Sequence, residues 1–294
     1  MGNHPSSPSS EQLAELEARK PELIARAARA IQQADILLVA TGAGWSADSG
    51  LAIYRDVADV AAYHERDLTY RDICQPHFLD SEPALFYGFW GGCYNDYRNT
   101  APHEGYGIIK QWVERQFKDT QAAAAFRAVQ APAAASGTST AASAAAGAFF
   151  SYTSNVDAHW LTSGFHPSEV HAIHGDCETW QCANRDCADE RARERAHESE
   201  DASVADDDGF SGRWPAPPSH RFQVDEISRL AGEGAPLTPA SAPVGTGQPC
   251  DAQAFASNWP KCVSCGGPAR PAVRTRPVES HHLALSHAHT RAHT

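Results

Sequence analysis

The chain reads as an α/β protein built on an open parallel sheet, and three observations carry that reading. A helix-period stretch over residues 11–34 leads directly into a short apolar, β-prone run at Ile36–Ala40. That run ends in the turn Gly42-Ala43-Gly44, the order in which an open α/β sheet presents backbone N–H groups to a pyrophosphate. Two later strand-like pieces, one from Phe149 and one at Val170-His171-Ala172-Ile173, also run into polar segments.

The first helix takes its face from Leu13, Leu16, Leu23, Ile24, Ala27 and Ile31, and Pro21 is expected to interrupt or restart it. The glycine turn departs from the ordinary dinucleotide fingerprint. A G-x-G-x-x-G motif needs glycine at position 47, which is Ala47, and the next glycine is Gly50. A lone Gly-x-Gly is weak evidence for a nucleotide site. Residues 56–118 read as helices covering the turn, with the aromatic run LFYGFWGGCYNDYR as core packing. Residues 121–148 are almost all Ala, Ser, Thr, Gly and Pro, a low-complexity insertion without core-building side chains.

The second strand, through Phe149, Phe150 and Tyr152, runs into Thr153-Ser154-Asn155-Val156-Asp157, and the third runs into His174-Gly175-Asp176. Residues 188–249 read as an acidic and Pro-rich insertion, apart from Trp214 and Phe222 to Leu230. Residues 1–10 and 274–294 read as unstructured tails, the second carrying five histidines.

Composition bounds the function classes. The chain has 294 residues, enough for one large domain or two smaller ones, and 42% are hydrophobic, enough for a packed core. A net charge of -12 argues against direct nucleic-acid binding through phosphate contacts. No apolar run is long enough to span a bilayer, and no secretory signal opens the chain. These features place the protein inside the cell, in cytoplasm or nucleus. The N-terminal MGNHPSSPSS reads first as a polar tail. It also fits the acceptor pattern for N-myristoylation at Gly2, with Ser6 in place, and one such chain gives only reversible membrane contact.

Eight cysteines without a secretory signal point to metal binding or buried thiols. Cys182 and Cys187 form a C-x4-C pair, and Cys262 and Cys265 form a C-x2-C pair followed by Gly266 and Gly267. Four thiolates so placed suit one closed, structural, tetrahedral Zn²⁺ in a module spanning about residues 177–270. The long segment between the pairs can loop out, because closure entropy rises slowly with length. Cys177 and Cys250 remain competing ligands, and reduced, unmetalled thiols are the alternative.

Taken together, these pieces resemble the sirtuins, the NAD-dependent protein lysine deacylases. GAGWSADSGLAIYR (42–55) is similar to the family's glycine-turn segment, TSNVD (153–157) to its Thr-Gln-Asn-Ile-Asp motif, and VHAIHGD (170–176) to the strand leading to its catalytic His-Gly. The cysteine pairs fit its zinc module, with Cys182 eight residues after His174. The likeness spans roughly residues 20–273 within a domain of 11–273, and implies a Rossmann-like sheet. Its Pro-Asp-Phe-Arg reads Ala52-Ile53-Tyr54-Arg55 here, its Gln is Ser154, and Ala158 stands where it has glycine. The segments that follow its zinc module, including a Gly-Thr-Ser stretch, have no counterpart here. The sheet is therefore expected to be incomplete, and the tail after Val273 reads as a truncation or a shifted frame.

The resemblance assigns roles by residue. Gly42, Ala43 and Gly44 would let the backbone approach the pyrophosphate of NAD, with Ser46 and Arg55 adding polar contacts. Tyr54 would shield the reacting ribose. Ser154, Asn155 and Asp157 would hold the nicotinamide end, and His174 would act as general base. The implied substrate is an acyl-lysine protein or peptide, whose acyl group passes to ADP-ribose as nicotinamide is released. Two alternatives stand: a catalytically inactive, zinc-stapled binding module, and NAD-dependent ADP-ribosyl transfer to protein. Taken singly, His174 reads as a strand-end histidine, Asn155 and Asp157 as turn formers, and Arg55 as a surface ion-pair partner.

Overall fold

A computed structural model describes residues 9–134, 146–184, 186–187, 213–238, 252–262 and 264–274. In chain order, α1 (Ser10–Gln32) and β1 (Leu37–Thr41) precede a run of short helices: α2 (Ala43–Ala47), α3 (Tyr54–Val57), α4 (Ala61–His64), α5 (Tyr70–Ile73) and α6 (Phe78–Ser81). Three longer helices follow, α7 (Pro83–Asn99), α8 (Glu104–Trp112) and α9 (Gln121–Ala134). Then come β2 (Phe149–Thr153), α10 (His159–Thr162), β3 (Val170–Ala172), β4 (Thr179–Cys182), β5 (Arg213–Pro215) and β6 (Ala269–Pro271). The chain packs as two compact units. One comprises Met1–Ala40, Glu104–Tyr152 and Ser163–His171, and the other Thr41–His103, Thr153–Thr162 and Ala172–Thr294.

The α/β class expected from sequence is the class observed. Three strands form a parallel sheet in the order β1-β2-β3. Leu37 N donates to Ala148 O at 2.9 Å and Ser154 N to Thr41 O at 3.1 Å. Those bonds advance in the same direction along both strands, the mark of a parallel pair. β1 starts and ends one residue later than the apolar run suggested.

In the first unit, Phe149 of β2 is buried and its ring lies 5.0 Å from that of Phe165. Tyr106, Ile109, Val113 and Phe117 of α8 and the turn after it are buried in the same unit. α1 departs from expectation: it runs unbroken through Pro21. Its N-terminus is fixed by a capping box, in which Ser9 Oγ accepts from Gln12 N while Gln12 Oε1 accepts from Ser9 N. With strong helix formers on both sides, the helix tolerates the one bond proline cannot donate. Residues 121–134, expected to be irregular, form α9, because alanine is the best helix former; Ala123 in it is fully buried.

The second unit is organised on α7. Pro83 occupies its first turn, where the missing N–H costs nothing, and every residue from Leu85 to Tyr94 is buried. The aromatic run is core packing, as its composition suggested. Gly88 faces the loop at Arg229 and Leu230, where an added Cβ would lie 2.1 Å from the Arg229 carbonyl oxygen. Only glycine allows that approach. Trp214 and Phe222, the apolar islands of the 188–249 segment, join this core, Trp214 through β5. β5-β4-β6 form a second, antiparallel sheet with Trp180 opposite Trp214 and Cys182 opposite Ala269. Arg98 at the end of α7 ties this region together. Its guanidinium grips both carboxylate oxygens of Glu178 and donates to the carbonyls of Pro217 and Pro218 at 2.6 and 2.7 Å.

Residues 1–8, 135–145, 185, 188–212, 239–251, 263 and 275–294 lie outside the described residues. The expected myristoylation at Gly2, the ligand role of Cys250 and the expected tail fall there.

Candidate functional site

A pocket of about 550 Å³ lies within the second unit, in the size range of roughly 300–1,000 Å³ usual for small-molecule sites. It gathers residues that follow β1, β2 and β3 in the chain: Ala43 and Ser46, then Ser154, Asn155 and Asp157, then His174. Three segments are thereby brought to one cavity, the first more than a hundred residues of sequence before the other two. Leu51, Ile53, Val57 and Trp90 supply apolar wall, with Tyr70 and Tyr97 beside them.

The polar side chains are held in a defined network. Ser46, buried in α2, donates its hydroxyl proton to Asp157 Oδ2. The other oxygen of Asp157 accepts from His159 N at 2.9 Å and so caps the start of α10. Ala158, between them, takes φ +58°, a left-handed conformation that strains an L residue by roughly 1–2 kcal/mol. Asn155 Nδ2 donates to Gly42 O at 2.8 Å, and Asn155 N donates to Thr153 Oγ1 at 3.1 Å. Asn155 therefore fixes the glycine turn from below. A Cβ on Gly42 would sit 3.3 Å from Ser154 Oγ, whereas one on Gly44 would meet nothing within 4 Å. The turn is tight on its Ser154 side and open at Gly44.

His174 is exposed and stands directly before a constrained residue. Gly175 has φ +74°, and a Cβ there would lie 1.8 Å from the Ala272 carbonyl oxygen. No other residue fits. The turn closes through Gly175 N to Ala172 O at 2.9 Å, and Arg274 N donates to His174 O at 2.8 Å. The chain beyond β6 thus clamps the backbone of the histidine at the pocket. Asp176 turns the chain onward by accepting from Thr179 N at 2.7 Å, and burial raises its carboxyl above the usual range.

The four predicted cysteines converge. The sulfurs of Cys182, Cys187, Cys262 and Cys265 lie within 4.8 Å of one another, with Cys182–Cys265 at 3.5 Å and Cys187–Cys262 at 3.9 Å. Four thiolates around a metal at about 2.3 Å stand about 3.8 Å apart in a tetrahedron, so the cluster could hold such an ion. Gly266 at φ +69° makes the knuckle turn, with Gly266 N donating to Cys262 O and Cys262 N to Gly267 O, each at 2.8 Å. Burial and the neighbouring Cys265 thiol hold the Cys182 thiol well above its ordinary range. Cys177 stands apart, buried in the core with its N–H on Val156 O at 2.9 Å. It is not a ligand of the cluster, because its side chain points into the core around α7.

The structure therefore places Ala43, Ser46, Ser154, Asn155, Asp157 and His174 on one pocket, with Gly42 held through its carbonyl. Gly44 is exposed beside it. The backbone of Tyr54 and Arg55 opens α3, and their side chains lie outside the described residues. Sequence reasoning missed Trp90 and Tyr97 as lining residues. Their i, i+7 spacing puts both on one face of α7, a signal present in the aromatic run. It also missed Arg71, on the short helix α5, and Gln75, in the connection just after it, with no periodic pattern to mark them.

No protein-family model matches the chain, and no curated protein matches it. Similar solved structures do exist. A Sir2 homolog in complex with NAD matches 83% of this chain and 58% of its own, at 15% identity and a TM-score of 0.40. A mutant Sir2 homologue with ADP-ribose matches 84% and 61%, at 16% identity and a TM-score of 0.39. A third structure, concerned with sirtuin substrate affinity, matches 85% and 64%, at 14% identity and a TM-score of 0.41. The chain spans less than two thirds of each of these proteins. Among the described residues no helix is long and apolar enough to cross a membrane.

Proposed function

We propose that the pocket binds NAD and that the chain is a sirtuin-type protein lysine deacylase, with acyl-lysine protein or peptide as substrate. The observation that carries this reading is the convergence of Ser46, Asn155, Asp157 and His174 on one cavity. The four come from the three separate motifs of the resemblance, Asn155 and Asp157 from the same one. The residues present fit the cofactor: the cavity is large enough, the turn is open at Gly44, and polar groups sit at one side of an apolar wall. When bound, NAD supplies an electrophilic ribose carbon that accepts the acyl oxygen as nicotinamide departs.

The protein's own part follows from the network. Ser46 and His159 N–H fix the Asp157 carboxyl group, so it is held in one orientation at the pocket. Asn155 holds the glycine turn in register with the segment after β2. His174, exposed and backbone-clamped, would take a hydroxyl proton at its ring nitrogen as general base. Leu51, Ile53 and Val57 exclude water from one wall. The four-cysteine cluster, in this reading, holds one structural Zn²⁺ remote from the reaction.

A second reading has its own support. Asn155 and Asp157 already spend hydrogen bonds on Gly42 O and His159 N–H, which a purely structural turn would also require. A zinc-stapled binding module without turnover would look the same there, and ADP-ribosyl transfer would use the same pocket and the same His174. Incubating the purified chain with NAD and an acylated peptide separates them. Release of nicotinamide with matching loss of acyl-lysine is the expected result, abolished by His174→Ala. Binding without any nicotinamide release assigns the module, and label on protein from adenine-labelled NAD assigns ADP-ribosyl transfer.

A further inference from the structure

Gln75 is a buried amide that the fold holds at the cavity by its nitrogen alone. It follows α5, whose last-turn carbonyls lack helical partners of their own, and Pro76 behind it ends the helix. The side chain folds back on that turn. Nε2 donates to Arg71 O at 2.9 Å and reaches Cys74 Sγ at 3.8 Å. Oε1 accepts no hydrogen bond among the described residues. Gln75 is only 7% exposed, yet that oxygen is not one of the sealed, unpartnered polar atoms of the interior. It opens on the cavity that Gln75 lines. A carbonyl oxygen so fixed accepts an N–H or O–H from whatever fills that space.

Its place in the cavity says which donor. The glycine-turn end has its own amide, Asn155, whose Nδ2 donates to Gly42 O at 2.8 Å. Gln75 stands elsewhere. Its neighbours Cys74 and Pro76 close a small cleft with Trp90 and Val273. Gly175, next to His174, packs on the same stretch, where an added Cβ would lie 3.6 Å from Val273 Cα. Gln75 is therefore on the His174 side, beside the apolar wall of Trp90 and Val273. On the deacylase reading, on which this inference rests, an apolar lysine stem and its acyl group lie along such a wall. The one N–H they carry is the substrate amide.

We propose that Gln75 is a substrate-binding residue, whose Oε1 accepts the amide N–H of the acyl-lysine. The bond strengthens during reaction. As the acyl oxygen bonds to the ribose carbon and the bond from that carbon to nicotinamide breaks, the amide nitrogen takes on positive charge. Its N–H becomes the stronger donor. An acceptor already held by Arg71 O stabilises that charge without reorganising.

An acylated peptide and its ester analogue, in which oxygen replaces the lysine amide N–H, read the bond in the full chain. Wild-type protein is expected to bind the amide several-fold to about tenfold more tightly than the ester. Gln75→Met, similar in length and without the acceptor, is expected to bind both alike. On the amide it is expected to lose about ten- to a hundredfold in kcat/KM, more of it in kcat than in KM. A glutamine that only braces α5 would lower the thermal midpoint and leave the amide-to-ester ratio untouched. Wild-type protein that binds amide and ester equally overturns the proposal, whether or not the variant folds. So does a folded Gln75→Met chain with an unchanged ratio or an unchanged kcat/KM. Either result leaves the deacylase reading standing where nicotinamide is still released. A chain that neither binds acylated peptide nor releases nicotinamide overturns both.

Discussion

At the scale of single residues, backbone geometry decides more than side-chain chemistry. Gly175 precedes no catalytic group of its own, yet it sets where His174 stands. Gly175→Ala must relieve a left-handed φ that costs about 1–2 kcal/mol and a contact of 1.8 Å with the Ala272 carbonyl. The backbone has to move. The expected outcome is a lower thermal midpoint and, under the proposed NAD-dependent activity, loss of nicotinamide release although the His174 imidazole is intact. Unchanged turnover in a stable Gly175→Ala chain would refute the positioning argument. His220 illustrates the opposite case, a side chain with a burial cost and no visible return. It is fully buried among the rings of Tyr94, Phe222 and Phe255, and neither ring nitrogen has a hydrogen-bond partner among the described residues. Burial, reinforced by Arg98 and Arg221, lowers its pKa to about 4. The unfolded chain takes up that proton near pH 6.5. The stabilisation is therefore complete above about 6.5 and is lost as pH falls towards 4, by at most about 3 kcal/mol. Urea midpoints at pH 7.5 and pH 4.5 measure it. His220→Phe, which removes the titrating group and keeps a ring, is expected to shrink the difference between the two midpoints, and an identical difference in the variant would rule His220 out as its source.

At the scale of elements, α1 shows both the reach and the limit of sequence reading. Its period was legible, but its cap was missed: Ser9, three residues before Gln12, reads as the end of an unstructured tail and instead closes the capping box. Its passage through Pro21 was not legible either, since local propensity cannot say whether the flanking turns will carry one missing bond. Pro21→Ala restores that bond at a solvated position. It is expected to raise helical ellipticity and to stabilise α1 by up to about 3 kcal/mol. A variant of equal or lower helicity would show that the proline is already accommodated by a bend. The three strands were legible for a firmer reason: each is an apolar run ending in a polar motif, and the pocket is made from those motifs. α9 was misread because alanine-rich composition was taken as lack of core, when alanine is also the strongest helix former. The second sheet was not legible at all. β5 and β6 are three residues each, and their pairing with β4 is set by long-range packing of Trp180 on Phe222 rather than by any local period.

At the scale of the whole molecule, the question is what closes the second unit. Its core draws on residues from Ala58 to Val273, and the two cysteine pairs stand 75 and 83 residues apart in their closest sulfur contacts. Bringing such distant segments together costs loop-closure entropy that grows only slowly with length, so one cross-link made there is as useful as one across a short loop. A bound zinc would supply it, and the binding free energy of such a site is folding free energy. Stripped of metal, the same site leaves four uncoordinated cysteines in close array, with less to hold β4 against β6. Metal analysis of the purified chain is expected to find about one zinc. Removing it with a strong chelator is expected to lower the thermal midpoint and to shift tryptophan emission to the red as Trp180, now fully buried, meets water. Restoring zinc should reverse both changes, and Cys262→Ser should reproduce them without a chelator. A chain that purifies metal-free, keeps its buried-tryptophan emission and ignores Cys262→Ser would show that hydrophobic packing alone closes the unit and that the four sulfurs are merely neighbours.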